Sequence, residues 1–228
     1  MAENLVTKKC VVAFLDLLGT SEAIKNDEHD ANLNSINKIL QAAFDICADT
    51  STYSEPISIK AFSDNIVFSI ELPDEIDEQM RMKRVHNILE ACACFQMAAF
   101  SLGISTRGGI TVGAFFTNDI FVWGKGLIRA YTLENKIAIF PRIVLDSNVV
   151  SLLPERDDNG NKYLAATDSD GIVFLDYLSF IPIRNRNEYI KRALQETNHI
   201  IECIDHDERA VQKIKWISYY LEKSLTEE

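Results

Sequence analysis

Apolar positions along this chain fall into short continuous runs and longer helical stripes, separated by polar turns. Residues 9–18, KCVVAFLDLL, are rich in Val, Phe and Leu and predict a buried strand. The run carries Asp16 at its end and is followed at once by Gly19-Thr20-Ser21, where Thr20 or Ser21 can cap a helix over 20–29. Over 31–50, Leu33, Ile36, Ile39, Leu40, Ala43 and Phe44 recur on one helical face. Residues 57–63 and 65–71 are β-rich, and the Ser63-Asp64-Asn65 stretch at their junction suits a hairpin turn. An acidic connection then leads into a long helix over 76–102, with Gly103 as its C′ glycine.

Residues 105–124 predict two strands around a turn at Thr117-Asn118-Asp119, and 125–138 a helix. Residues 142–150 begin as a strand and pass into a short helix, and 157–161, DDNGN, read as a turn. Residues 162–167 and 171–180 predict two strands separated by Asp168-Ser169-Asp170. From about 185 onward the chain is charged and helical, with Ile190, Leu194, Ile201, Ile204, Val211, Ile214, Ile217, Tyr220 and Leu221 as its apolar side. The order β-α-α-β-β-α-β-β-α-β predicts an α+β fold of ferredoxin-like type, a mainly antiparallel sheet covered by helices. We expect this domain over 1–183 and a C-terminal helical extension packed on it over 184–228.

Composition narrows the choice of partner. The 228 residues are 47% hydrophobic and 25% charged, which is ordinary for a globular chain able to bury a core without staples. The net charge of −11 argues against a nucleic-acid or membrane-surface binder, since either needs a basic face. It leaves room for a nucleotide held through a divalent cation. Cys10, Cys47, Cys92, Cys94 and Cys203 make an odd count in mostly apolar surroundings, which fits buried free thiols in a reducing compartment. No stretch reads as a signal peptide or a membrane span, so the expected location is cytoplasmic. His29, His86, His199 and His206 are scattered without metal-ligand spacing.

In a ferredoxin-like fold the end of the first strand lies beside the central hairpin, which would bring Asp16 and Asp64 together. Two facing carboxylates repel unless a cation joins them. Mg²⁺ or Mn²⁺ takes hard oxygen ligands and is held by one or two carboxylates plus substrate phosphates. Such a pair supports in-line attack at phosphorus. Free backbone N–H groups at Gly19, Thr20 and Ser21 suit a phosphate. The plain alternative is a strand-ending acid that caps a helix and a second acid in a hairpin.

Four ordered blocks extend this reading. FLDLLGTS at 14–21 resembles the F-x-D-I-x-G-F-T motif of the class III nucleotidyl cyclase family, with Thr20 in place of an aromatic. KAFSD at 60–64 is similar to K-T-I-G-D, and RGGITVG at 107–113 fits R-x-G-I-x-x-G at every fixed position. VWGKGLIRAYTL at 122–133 fits V-x-G-x-x-V-N-x-A-x-R-L in part. The resemblance covers roughly 10–146. It implies that Asp16 and Asp64, with the Leu17 carbonyl, bind two Mg²⁺ or Mn²⁺ ions. It also implies that the 19–21 turn and Arg107 hold the triphosphate, with Lys60 in the base-selecting position.

Departures from the family pattern bear on the substrate. Phe121 stands where the family's base-selecting acid lies, which removes an acceptor and leaves room for a pyrimidine. Ile128 replaces the ribose-orienting Asn and Thr132 the transition-state Arg. Arg129 could supply that charge from a shifted position, or could be a solvated helix residue. A stand-alone domain of this kind looks like the pyrimidine cyclases of bacterial anti-phage defence (Pycsar systems). That resemblance implies a homodimer with composite sites that converts UTP to cyclic UMP and pyrophosphate. The messenger would act on a separate effector protein. A cytidylate cyclase making cyclic CMP, or a degenerate cyclase fold that binds a nucleotide without turnover, remain as rival readings.

Overall fold

Strand β1, Lys8–Leu18, is apolar without alternation because it is central and covered on both faces. The computed structural model describes residues 4–20, 30–48, 56–155, 163–203 and 208–226. The expected helix over 20–29, apart from Thr20, and the 157–161 turn lie outside the described residues, as does Ser21. Antiparallel to β1 on one side runs β3, Asn65–Glu71, which forms a hairpin with β2, Ser58–Phe62. On the other side runs β4, Ser105–Thr117, also antiparallel. Beyond it come β6, Ile143–Leu145, parallel to β4, and the antiparallel pair β8, Val173–Leu175, and β7, Ala165–Thr167. The sheet order is β2-β3-β1-β4-β6-β8-β7, and β5, Val122–Trp123, pairs with β4 off this path. This is the expected helix-covered, mainly antiparallel sheet.

The two faces are covered differently. Helices α1, Ala31–Ala48, and α2, Glu78–Ser101, cover one face, where Phe68 of β3 meets Phe95 of α2 edge to face at 5.8 Å. Asp77 caps α2 by accepting from the Met80 N–H at 2.7 Å, and Gly103, at φ 75°, ends it as expected. Helix α3, Lys125–Lys136, covers β1 and β4 on the opposite face. There Val12, Phe14, Val67, Phe115 and Ala130 form a buried cluster.

Close approach of α3 depends on the glycines of the RGGITVG stretch. A Cβ at Gly109 would lie 2.3 Å from Leu133 Cβ and 2.6 Å from the Ala130 carbonyl oxygen. One at Gly113 would lie 2.8 Å from Gly126 Cα. Both positions face α3, because alternate residues of a strand share a face. The motif's glycines therefore let the helix settle directly onto the strand.

After β6, Asp146 caps the short helix α4, Ser147–Val150. The expected strand over 171–180 is shorter than its apolar run. It pairs only at 173–175 and then turns into a 3-10 segment, Tyr177–Phe180. Its partner runs out, because Leu164, just before β7, takes a left-handed φ of 61°. The buried Arg142 pairs with Asp168 and Asp170 and so ties down the β7–β8 turn.

The chain divides into two compact units, residues 1–177 and 178–228. In the second, α5, Ile183–Cys203, and α6, Glu208–Thr226, pack on one another. Their stripes Ile190-Ala193-Thr197 and Ile214-Ile217-Leu221 are buried at i, i+3, i+7 spacing. Among the described residues no helix is long and apolar enough to cross a membrane.

Candidate active site

Strand register assembles the predicted acids. Asp16 of β1 lies opposite Asn65 on β3 and opposite Arg107 on β4. The Leu17 N–H donates to the Asp64 carbonyl oxygen at 3.0 Å, which holds the β2–β3 turn against the end of β1. Asp16, Leu17 and Asp64 thus lie together at one end of the central strands. Ser63, at φ 54°, makes the tight turn that presents Asp64.

The Asp64 carboxylate is held on both oxygens. Thr20 Oγ1 lies 2.7 Å from Oδ2, and Asn65 Nδ2 donates to Oδ1 at 3.0 Å. Burial pushes this carboxyl up, but the Thr20 hydroxyl, the residue's own backbone N–H and the Ser63 side chain outweigh it. The net direction is below the ordinary value of 3.8, so the group is a carboxylate at neutral pH. Gly19 follows β1 at φ 86°, a left-handed conformation in which a side chain is strained.

Arg107 lies between two acids. Its Nε donates to Asp16 Oδ2 at 3.0 Å, and its Nη2 lies 2.8 Å from Glu134 Oε1. The second contact has ion-pair distance without hydrogen-bond geometry. Glu134 comes from α3, and its side chain is 4% exposed. Burial raises its carboxyl above the ordinary 4.5, Arg107 opposes the shift, and the charges of Asp16 and Asp64 add to it. Glu134 thus lies in the field of both Asp16 and Asp64 as well as of Arg107, a local excess of negative charge.

That excess, with the Leu17 carbonyl, is a hard oxygen donor set that fits a divalent cation completed by water and phosphate oxygens. Among the described residues no group of three or more His, Cys, Asp and Glu side chains forms a cage for a metal on its own. The residues that would hold a cation are Asp16, Asp64 and the Leu17 backbone.

Lys60 pairs with Val67, which pairs with Phe14, so it shares the Asp16 face of the sheet one row away. Its Nζ lies 3.9 Å from Asp119 Oδ1 in the β4–β5 turn. In that turn Asn118 Oδ1 accepts from the N–H groups of Ile120 and Phe121 at 2.9 Å each. Phe121 leans on Phe116 at 5.3 Å and stays 42% exposed. The fold therefore brings Lys60 close to the turn that carries Phe121.

Arg129 is engaged elsewhere. It forms a two-pronged pair with Asp146, from Nε at 2.8 Å and Nη2 at 2.7 Å, and Thr111 Oγ1 donates to the same carboxylate at 2.7 Å. The Arg129 side chain is nevertheless 52% exposed. The Arg129 pair holds the Asp146 carboxyl below its ordinary 3.8 against the effect of burial. Ile128 is exposed, and Thr132 Oγ1 bonds back to the Ile128 carbonyl at 2.7 Å.

Glu134, Asp146 and Asn65 were not among the residues singled out from the sequence. A signal for Glu134 exists. Gly126, Ala130, Leu133 and Glu134 fall on one helical stripe, which places an acid in an otherwise apolar buried face.

No protein-family model matches the sequence, and no curated protein matches it. Solved structures do. The adenylyl cyclase CyaB from P. aeruginosa is 17% identical, with 74% of this chain and 93% of that one covered and a TM-score of 0.51. The guanylyl cyclase domain of the RhoGC fusion protein from the aquatic fungus Blastocladiella emersonii is 11% identical, with 76% and 98% covered and a TM-score of 0.54. With its helix-covered antiparallel sheet, the chain has the class III nucleotidyl cyclase fold.

Proposed function

We propose that this protein is a cytoplasmic, metal-dependent nucleotidyl cyclase that converts UTP to 3′,5′-cyclic UMP and pyrophosphate. The observation that carries the reading is the meeting of Asp16 and Asp64 at the end of β1, with Arg107 alongside. The cyclase domain spans 1–183, with 184–228 as its helical extension.

In the reaction the ribose 3′-oxygen bonds to the α-phosphorus and the bond to the leaving pyrophosphate breaks. With Mg²⁺ or Mn²⁺ bound, two ions in the full site, the metal supplies activation of the hydroxyl and neutralisation of the phosphates. Asp16, Asp64 and the Leu17 carbonyl anchor that charge. Arg107 exchanges part of its pairing with Asp16 and Glu134 for phosphate oxygens, a match for a planar guanidinium. Backbone N–H groups of Gly19, Thr20 and Ser21 take the remaining phosphate oxygens. Lys60 donates to a base carbonyl, and Phe121 closes the base site against a second ring. Arg129 offers its exposed side to the transition state.

A homodimer with composite sites accords with the exposed apolar residues on the α3 face of the sheet. Phe62, Phe121, Trp123, Ile128 and Tyr131 are each at least 42% exposed, and Phe62 and Tyr131 pack on Phe14, two residues before Asp16. A second copy would cover them and bring base-side residues of one chain to the acids of the other. The cyclic nucleotide would then act on a separate effector protein in bacterial anti-phage defence. CTP is the alternative substrate.

A second reading, a nucleotide-binding regulator without turnover, is favoured by the engagement of Arg129 with Asp146 and by Ile128 and Thr132. One experiment separates the two. The purified chain is incubated with each of the four NTPs and Mn²⁺, and the products are identified. Cyclic UMP that disappears in Asp64→Asn supports the enzyme; tight nucleotide binding without product supports the regulator.

A further inference from the structure

The side chain of Thr20 has no part in the phosphate turn as read above, which uses only its backbone. Yet it is 2% exposed and sits between two of the expected cation ligands. Its Oγ1 lies 2.7 Å from Asp64 Oδ2 and 3.0 Å from the Leu17 carbonyl oxygen. We propose that the Thr20 hydroxyl is a positioning group that sets the Asp64 carboxylate and the Leu17 carbonyl for a divalent cation. The inference rests on the metal-site reading above.

A hydroxyl carries one proton, so Oγ1 donates to only one of these oxygens at a time. The shorter contact goes to the ionised carboxylate, where a charge-assisted bond is the stronger. While the proton serves Asp64, the Leu17 carbonyl can turn to a cation without losing a donor that it needs. The carboxylate keeps coordination capacity as well. It has about four lone-pair positions, and Thr20 and Asn65 occupy one on each oxygen. Burial and the stiff β-branched side chain fix the hydroxyl in place. The resembling motif has a Phe here, which carries no hydroxyl to make this contact.

The test uses the full chain and Mn²⁺ alone, with free ion read by electron paramagnetic resonance. Four variants are compared: Asp64→Asn, Thr20→Val, Thr20→Ser and Thr20→Ala. The Ser and Ala variants differ by the hydroxyl alone, so their comparison survives if the Val variant fails to fold. Loss of an outer-shell partner typically weakens metal binding by about 10- to 100-fold. We expect that loss in Thr20→Val and Thr20→Ala and near-native binding in Thr20→Ser. Equal binding by Ser and Ala would overturn the role of the hydroxyl while leaving the site intact. Mn²⁺ binding that Asp64→Asn does not weaken would overturn the metal site itself, and the inference with it.

Discussion

Arg107 and Asp16 stand opposite each other on β4 and β1, and the guanidinium donates to the carboxylate at 3.0 Å. The cation expected to read phosphate is thus held by an acid expected to bind metal. Each holds the other oriented before ligand arrives, and a metal-nucleotide complex brings charges of both signs that can replace the pairing.

The first prediction concerns the acids. Asp16→Asn or Asp64→Asn should reduce cyclisation by more than the roughly 100-fold typical for an outer-shell partner, because a ligand itself is removed. Asp16 lies near the end of β1 and Asp64 in the β2–β3 turn rather than in the apolar core, so the circular dichroism spectrum should stay native. Full activity in either folded variant would exclude the site.

Complementation tests the composite dimer. An Asp16→Asn chain mixed with an Arg129→Ala chain should regain activity, with one intact site in each heterodimer. If heterodimers form and remain inactive, either the shared site or the part given to Arg129 is wrong.

Base choice follows from Lys60 and Phe121. A lysine ammonium only donates, and uracil offers two carbonyl acceptors where cytosine offers one and adds an amino donor. UTP should therefore be turned over at least about tenfold faster than ATP or GTP, a difference of roughly 1.4 kcal/mol in barrier. Initial rates with the four NTPs decide this. Robust cyclic AMP formation refutes the pocket argument, and preference for CTP reverses only the choice of pyrimidine.

The Asp146–Arg129 pair makes a pH prediction. The folded Asp146 carboxyl lies below its ordinary 3.8, so its stabilisation is present above that value and lost as pH falls through the lower folded value. Asp146→Asn should lower stability at pH 7 by about 1 kcal/mol, a charged hydrogen bond discounted for the half-exposed guanidinium. The variant should also lose less stability on acidification than the native chain. Melting temperatures measured from pH 7 down to pH 3 test both; parallel curves for variant and native protein count against the pair.

Gly109 tests how the helix is seated. Gly109→Ala puts a methyl against the α3 backbone and should cost about 1–3 kcal/mol. Lifting α3 also moves Glu134 away from Arg107, so activity should fall along with stability. An unchanged melting temperature shows that α3 can shift freely.

Periodicity and local chemistry were legible in the sequence. The unbroken run of β1 identified a buried strand, and Gly103 marked the end of α2. These features depend on residues near one another in the chain. The sequence could not say that Glu134 faces Arg107, that Asp146 claims Arg129, or that Thr20 touches Asp64. The overlong strand expected at 171–180 failed for a related reason, because its length was set by where the partner strand kinks. Such contacts depend on strand register and on the seating of α3, and a one-residue slip in the β1–β4 register would turn Arg107 to the opposite face from Asp16. The sequence by itself determined the elements and the residues able to do chemistry. Tertiary structure alone decided which of those charges meet, because electrostatic energy depends on separation in space and local burial rather than on distance along the chain.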